Sequence, residues 1–426
     1  MDEVSSVVEE LPWVRAHSLA FLTFSLGTAI EAYIYSIAYI ATGWVSVPRE
    51  FTALLSIWPP LWLLVGGAVM GPVADIIGRK RSLYLTLIMY VVGALGLVLS
   101  HDYSSLLIFL GMLLLATGGE YNIIMAASHE YFPRRYRSRA VFLILNFTNA
   151  GGALASLLAV MNISSPSLQR IAIGATILVA APMLYILRTR LPESIRWLEF
   201  KGKVDDAINE ATRHYGEIAP EKRRRGVASI ALPSSLARLV IGALLGWSYT
   251  AGITLIALTL GPYFMPSLTN WLILAFSLAS LASGAAMGLM ADKVGRRALL
   301  LASSVPLLVL ASLMALTSSA WTREPLLFWS LFVPFSALAN VFYLGEDTLK
   351  SEFWATGRRA LFTAVVRASS LGATIPVIFL LAYLPVAAYL AVTAVVFAIG
   401  AVAAMAWYFM GVETGRGTSV GAWDCA

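Results

Sequence analysis

Apolar stretches of about twenty residues, separated by short polar loops, recur along the chain from residue 18 to residue 410. A membrane-spanning helix needs ~20 mostly apolar residues. The pattern predicts spans over residues 18–44, 53–74, 82–100, 105–128, 140–161, 168–187, 237–264, 268–291, 298–318, 325–349, 360–382 and 385–410. That is twelve helices in two groups of six, an all-α integral membrane architecture. One longer polar stretch divides them, giving an N-terminal bundle over 1–187, a linker over 188–236 and a C-terminal bundle with its tail over 237–426. Within the linker, Val204, Ala207, Ile208 and Ala211 recur at helical spacing, which predicts a short amphipathic helix over Val204 to Tyr215.

Composition agrees with this reading. The chain of 426 residues is 59% hydrophobic and 13% charged, with a mean hydropathy of +0.77. A soluble domain carries ~25% charged residues, so lipid is the expected solvent. The net charge of +6 is confined to alternate loops. Arg79, Lys80 and Arg81 follow the second span; Arg134, Arg135, Arg137 and Arg139 follow the fourth; Arg188, Arg190, Arg196, Lys201, Lys203 and Arg223 to Arg225 follow the sixth. Lys293, Arg296 and Arg297 follow the eighth, and Lys350, Arg358 and Arg359 the tenth; the other loops hold only Arg49, Arg170 and Arg323. Positive charge is retained in the cytoplasm. A multi-pass protein of the plasma membrane, with both termini and the linker cytoplasmic, is therefore expected, and the charge implies no nucleic-acid partner. Asp2, Glu3, Glu9 and Glu10 give the N-terminus the opposite charge to a signal sequence, so the first apolar stretch is expected to remain as a span. A lone cysteine, Cys425, and four scattered histidines offer neither a disulfide nor a metal site, and no cofactor is expected. Asn162-Ile163-Ser164 is a formal glycosylation sequon in an outer loop too short to favour modification.

Two motifs recur. Gly71, Ala74, Asp75, Gly78, Arg79 and Lys80 follow the second span, and Gly288, Ala291, Asp292, Gly295, Arg296 and Arg297 follow the eighth; both read G-x-x-A-D-x-x-G-R-K/R. Their offset is 292 − 75 = 217. Glu130 with Arg137 after the fourth span repeats as Glu352 with Arg359 after the tenth, at an offset of 352 − 130 = 222. Two motifs in one order at nearly one offset indicate a duplicated six-helix unit.

The duplicated loop resembles the signature of the major facilitator superfamily. The chain is further similar to the sugar-porter-like and metabolite:proton symporter branches. Glu130-Tyr131-Phe132-Pro133 with Arg137, Pro192-Glu193-Ser194 with Arg196, Trp197 and Leu198, and Glu413-Thr414 resemble their loop motifs; Val412 stands where the last usually has proline. Gly27, Thr28, Glu31 and Tyr33 resemble the first span of the metabolite:proton symporters, and Gly118-Gly119-Glu120 their fourth. The resemblance runs from about residue 20 to residue 415. It implies two pseudo-symmetric six-helix bundles and transport of a small solute by alternating access.

Charged residues at the basic loops are expected to latch the two halves: Asp75, Arg79, Glu130, Arg137, Glu193, Arg196, Asp292, Arg296, Glu352 and Arg359. A single such pair contributes ~0–1 kcal/mol, so only a network can bias the transporter. Ionisable groups inside the membrane are functional candidates. Glu31, mid-way along the first span, and Glu120, in the fourth, are candidate proton-coupling groups, with satisfied structural carboxylates as the alternative. Arg367 lies two turns into the eleventh span ahead of Gly372 and Pro376, and organic-anion and aromatic-acid transporters are similar there. It either holds a substrate carboxylate or snorkels to the surface. Glu346 and Asp347 are expected at a solvated mouth. Tyr33, Tyr121, Asn122, Asn146, Asn149, Trp247, Tyr249, Asn340 and Tyr343 are candidates for the cavity wall.

Three transport readings follow, all for a monomer that binds a small molecule, protons and lipid. The first is a proton-coupled symporter of an organic anion. The second is a sugar symporter or facilitator; sugar porters carry a glutamine pair in the seventh span, whereas this one reads Gly246 to Gly252 without an amide. The third is an exporter of organic cations or drugs, using acidic residues and aromatics. No nucleophile–base pair or phosphate-cradling loop points to an enzyme.

Overall fold

The computed structural model describes residues 3–41, 44, 49–161, 165–216, 233–352, 354 and 359–414. The sequon Asn162 to Ser164, the basic run Arg223 to Arg225 and Arg358 lie outside them. The chain opens with a short helix, α1 (Glu3–Glu10), followed by six long ones: α2 (Arg15–Ile40), α3 (Arg49–Ile77), α4 (Arg79–Leu99), α5 (Tyr103–Tyr131), α6 (Arg137–Val160) and α7 (Pro166–Arg190). The linker folds into α8 (Ile195–Phe200) and α9 (Val204–Tyr215), the latter over the residues its periodicity predicts. The second half comprises α10 (Ser235–Ile253), α11 (Leu260–Phe264), α12 (Thr269–Met290), α13 (Arg296–Thr317), α14 (Pro325–Glu352), α15 (Arg359–Leu381) and α16 (Val386–Met410). Among the described residues, twelve helices are long and apolar enough to cross a membrane, counting α10 through α11 as one.

Local chemistry sets the starts. Asp102 accepts from the Ser105 N–H to cap α5, Ser165 caps α7 just ahead of Pro166, and Ser234 caps α10 through the Ala237 N–H. The seventh span is not the uninterrupted helix that its apolar run suggests. Thr254–Thr259 winds as a π-turn. Such turns loosen backbone pairing, and here hydroxyls take it up: Thr259 donates to the Thr254 carbonyl at 2.9 Å and Tyr389 to the Leu255 carbonyl at 2.6 Å.

Within the first half, α2 packs on α6, α3 on α5, and α4 on α5 and α7. Within the second, α13 packs on α14 and α16, α10 on α15 and α16, and α12 on α14. Two seams join the halves, α6 against α12 and α3 against α15. Small residues permit this approach: a Cβ on Gly284 of α12 would overlap the Asn146 side chain of α6.

Candidate functional site

A cavity of about 170 Å³ lies between the halves, with walls from α2, α5, α6, α10, α12, α14 and α15. An engineered cavity of ~150 Å³ accommodates benzene, so this one has room for a single six-membered ring. Its wall is rich in tyrosine: Tyr35, Tyr121, Tyr249 and Tyr343, the last two stacked with centroids 4.8 Å apart. Arg367 does not snorkel. Its guanidinium faces the cavity, 3.5 Å above the centroid of the Tyr121 ring, where the π face attracts a cation. It donates to Glu31 Oε1 at 3.3 Å and to Asn122 Oδ1 at 3.3 Å. Glu31 is buried in the same wall, and its Oε2 has no hydrogen-bond partner among the described residues.

Glu346 and Asp347 are not at a solvated mouth. Both are buried in the cavity wall, and Lys350, grouped with the basic loop in the sequence, lies between them. The ammonium is 2.9 Å from Glu346 Oε2 and 2.8 Å from Asp347 Oδ1. The Tyr121 hydroxyl donates to Asp347 and lies 2.8 Å from the Tyr343 hydroxyl. The signal was present in the sequence: acids and a lysine at i, i+1 and i+4 of a long apolar helix share one face and can pair inside a membrane.

The remaining cavity candidates divide. Tyr249 and Tyr343 line it, as does Asn149. Asn149 also donates to Asn146 at 3.0 Å and to Asn340 at 2.8 Å, while Asn146 and Asn340 donate to the Leu281 and Ser280 carbonyls of α12. These three amides thus clasp α6 to the second half, and only Asn149 reaches the cavity. Tyr33 points the other way and donates to the Ile173 carbonyl of α7 at 2.9 Å. Trp247 lies outside the cavity wall. Glu120 lies outside it too. It is fully buried within the first half, its Oε1 2.5 Å from Arg188 and its Oε2 accepting from Thr86. Arg188, read as a loop cation, is the internal partner that the sequence did not reveal.

The latch residues assemble chiefly inside each half, not across the two. Arg79 meets Asp75 at 2.7 Å and Glu130 at 3.1 Å; Ser194 donates to Glu130 at 2.5 Å. Glu193 Oε1 accepts the Arg79 N–H at 3.0 Å, capping the positive end of α4. Burial nonetheless holds the Glu193 carboxyl above the usual carboxylate range, against the opposing pull of backbone N–H groups from Ser194, Lys80 and Arg79. The second half repeats the unit. Arg296 meets Glu352 at 3.1 Å, Thr414 donates to Glu352 at 2.7 Å, and Glu413 accepts the Arg296 N–H at 2.7 Å. Glu413 is therefore the counterpart of Glu193. Gly78 is the tight point of the first unit: its φ is +102°, and a Cβ would meet the Glu193 carboxylate.

Arg137 and Arg196 depart from the expected pairings. Both converge on Glu9 of α1, at 2.5 and 2.6 Å. The Arg359 side chain lies outside the described residues. Ties between the halves at this end are fewer: Arg139 to Asp292 at 3.3 Å, Arg296 donating to Ser138 at 3.0 Å, and Ser351 with His129 at 2.7 Å. Arg296 also lies over the Phe142 ring. Among the described residues no group of three or more histidine, cysteine, aspartate or glutamate side chains could hold a metal ion.

A family profile described as "Sugar (and other) transporter" matches residues 52–232. A niacin transporter of Acinetobacter baylyi is 28% identical over 51% of this chain and 50% of its own length. A 4-hydroxybenzoate transporter of the same organism is 28% identical over 49% of this chain and 46% of its own. The chain spans about half the length of the curated relatives it matches. Over the whole fold, it superposes on the proton:xylose symporter XylE of E. coli with a TM-score of 0.75, at 15% identity, covering 96% of this chain and 98% of that one.

Proposed function

We propose, for a chain whose family and fold are those of the major facilitator transporters and not of enzymes, that it is a proton-coupled symporter of a small aromatic carboxylate. The observation that carries this is Arg367, turned into a tyrosine-lined cavity and held there by Glu31. Arginine is costly at membrane depth, at ~2.5–3.5 kcal/mol on insertion scales, so a cavity-facing guanidinium needs a counter-charge. In the empty cavity Glu31 supplies it. A proton on Glu31 ends that hold, and the planar guanidinium then takes a carboxylate through two parallel hydrogen bonds. Proton and anion thereby enter together, and rocking of one half against the other exposes them to the far side.

The names of the relatives support this reading, since niacin and 4-hydroxybenzoate are planar aromatic carboxylates. The basic loops support a cytoplasmic motif end in a plasma-membrane protein, with 188–236 read as the linker between halves over 1–187 and 237–426. We take the protein to work as a monomer.

Likeness to a xylose symporter favours a second reading, a sugar transporter. The α10 side of the cavity offers Tyr249, Thr250 and Thr254 but no amide, whereas sugar hydroxyls call for paired donors and acceptors. Reconstituted protein decides between them. Uptake of 4-hydroxybenzoate into proteoliposomes, driven by an inward proton gradient and unaffected by excess xylose, is expected. Gradient-driven xylose uptake that carboxylates do not inhibit would transfer the assignment to sugar.

A further inference from the structure

The cavity wall carries three carboxylates, Glu31, Glu346 and Asp347, against two cations, Lys350 and Arg367. Arg367 is engaged by Glu31, so the surplus negative charge falls on the α14 triad, where two carboxylates share one ammonium. An uncompensated charge away from water is costly, and the triad is therefore suited to receive a positive group. A second feature opens onto the same space: Glu31, 6% exposed, leaves Oε2 without a hydrogen-bond partner among the described residues. Tyr121 sets the spacing between the two charged sites. Its ring face lies under Arg367 and its hydroxyl donates to Asp347, so anion and cation sites stand about one tyrosine apart. The stacked rings of Tyr249 and Tyr343 lie beside this path and offer π faces to a ring or a cation.

We propose that the preferred solute is a zwitterion, its carboxylate taken by Arg367 and its cationic nitrogen, about one ring away, taken by Glu346 and Asp347. The inference rests on the reading of Arg367 as the anion site and adds a second, oppositely charged subsite to it. Lys350 stays shared between the two carboxylates, so that two negative charges face two positive ones. Charge-assisted hydrogen bonds at both ends then select for separation of charge, not merely for an anion.

Three ligands of matched size separate the possibilities: 4-(aminomethyl)benzoate, a zwitterion; 4-ethylbenzoate, an anion; and 4-isopropylbenzylamine, a cation. Each is titrated calorimetrically into the purified full-length protein. The zwitterion is expected to bind at least ~tenfold more tightly than 4-ethylbenzoate, and Glu346→Gln or Asp347→Asn to reduce that ratio to ~threefold or less. Melting temperatures show that each variant is folded, and either one carries the test if the other is not. Equal affinity of the wild type for zwitterion and anion overturns the proposal, as does a ratio that survives both substitutions. If the amine binds as tightly as the zwitterion, the carboxylate contributes nothing and the anion reading fails while the cation subsite stands. Silence from all three ligands overturns both.

Discussion

Replacing Glu120 by glutamine removes one half of an ion pair that has no access to water. Glu120 and Arg188 are each 0% exposed and meet at 2.5 Å. At ~4 Å and an effective dielectric of ~20, opposite charges attract by ~4 kcal/mol, and breaking a buried pair from one side costs ~3–5 kcal/mol because the orphaned charge stays buried. Glu120→Gln and Arg188→Met are each expected to destabilise the protein by ~3–5 kcal/mol, whereas the double variant recovers most of that loss. Reversible unfolding in mixed micelles, run as a double-mutant cycle, reads the coupling directly: two single losses of ~3–5 kcal/mol that mostly vanish in the double variant amount to ~5 kcal/mol or more. Single variants costing under ~1 kcal/mol and adding independently would refute the reasoning. So would a Glu120→Gln protein of normal stability that has lost proton-driven uptake, because Glu120 would then be a proton carrier and not a structural acid.

Glu31→Gln, which mimics the protonated acid, is expected to lose accumulation driven by a proton gradient yet retain solute counterflow; intact gradient-driven uptake rejects the coupling role. Arg367→Lys is expected to weaken carboxylate binding at least ~tenfold, since an ammonium cannot reproduce the two-pronged contact, and calorimetry checks this. Gly78 sits at φ +102° and ψ 162°, a region open almost only to glycine, so Gly78→Ala is expected to cost ~1–3 kcal/mol. Gly295, at φ −74°, has no such backbone strain, so Gly295→Ala is expected to lower the melting temperature less. Because the Glu193 carboxyl is held above its ordinary value, its contribution to stability is full below ~4.3 and fades as pH rises through the raised value. The melting-temperature advantage of wild type over Glu193→Gln should accordingly be larger at pH 5 than at pH 8.

The spans were legible because each requires a long apolar run, and lipid tolerates little else. The π-turn at Thr254–Thr259 was not, since nothing in Thr-Leu-Ile-Ala-Leu-Thr departs from a good membrane helix. The hydroxyl that meets its Leu255 carbonyl comes from Tyr389, over a hundred residues away. Separation in sequence likewise hid the partner of Glu120 on α7 and the pairing of Arg137 and Arg196 with Glu9. Charged residues announce that they need partners, but one chain read alone does not say which. Arg367 could be singled out by its depth in an apolar span, yet its direction depends on the Tyr121 ring beneath it. Glu346 and Asp347 were misplaced because they lie near a predicted helix end, whereas α14 continues to Glu352 and keeps them inside.

The two copies of the Arg–Glu–hydroxyl unit close upon themselves, one in each half, and that has a mechanical consequence. In the proposed rocking of one half against the other, each half would act as a stiff lever that keeps its own bracing. The work of parting the levers at the basic end then falls on a few side-chain ties, notably Arg139 to Asp292, Arg296 to Ser138 and His129 to Ser351. A surface ion pair is worth ~0–1 kcal/mol and a hydrogen bond ~0.5–1.5 kcal/mol net. Together they set a catch of a few kcal/mol, the same order as the ~2.3 kcal/mol that one elementary charge gains in crossing 100 mV. A catch much stronger than this would hold the levers shut against the work of the coupled proton proposed above, and a much weaker one would let them swing without it.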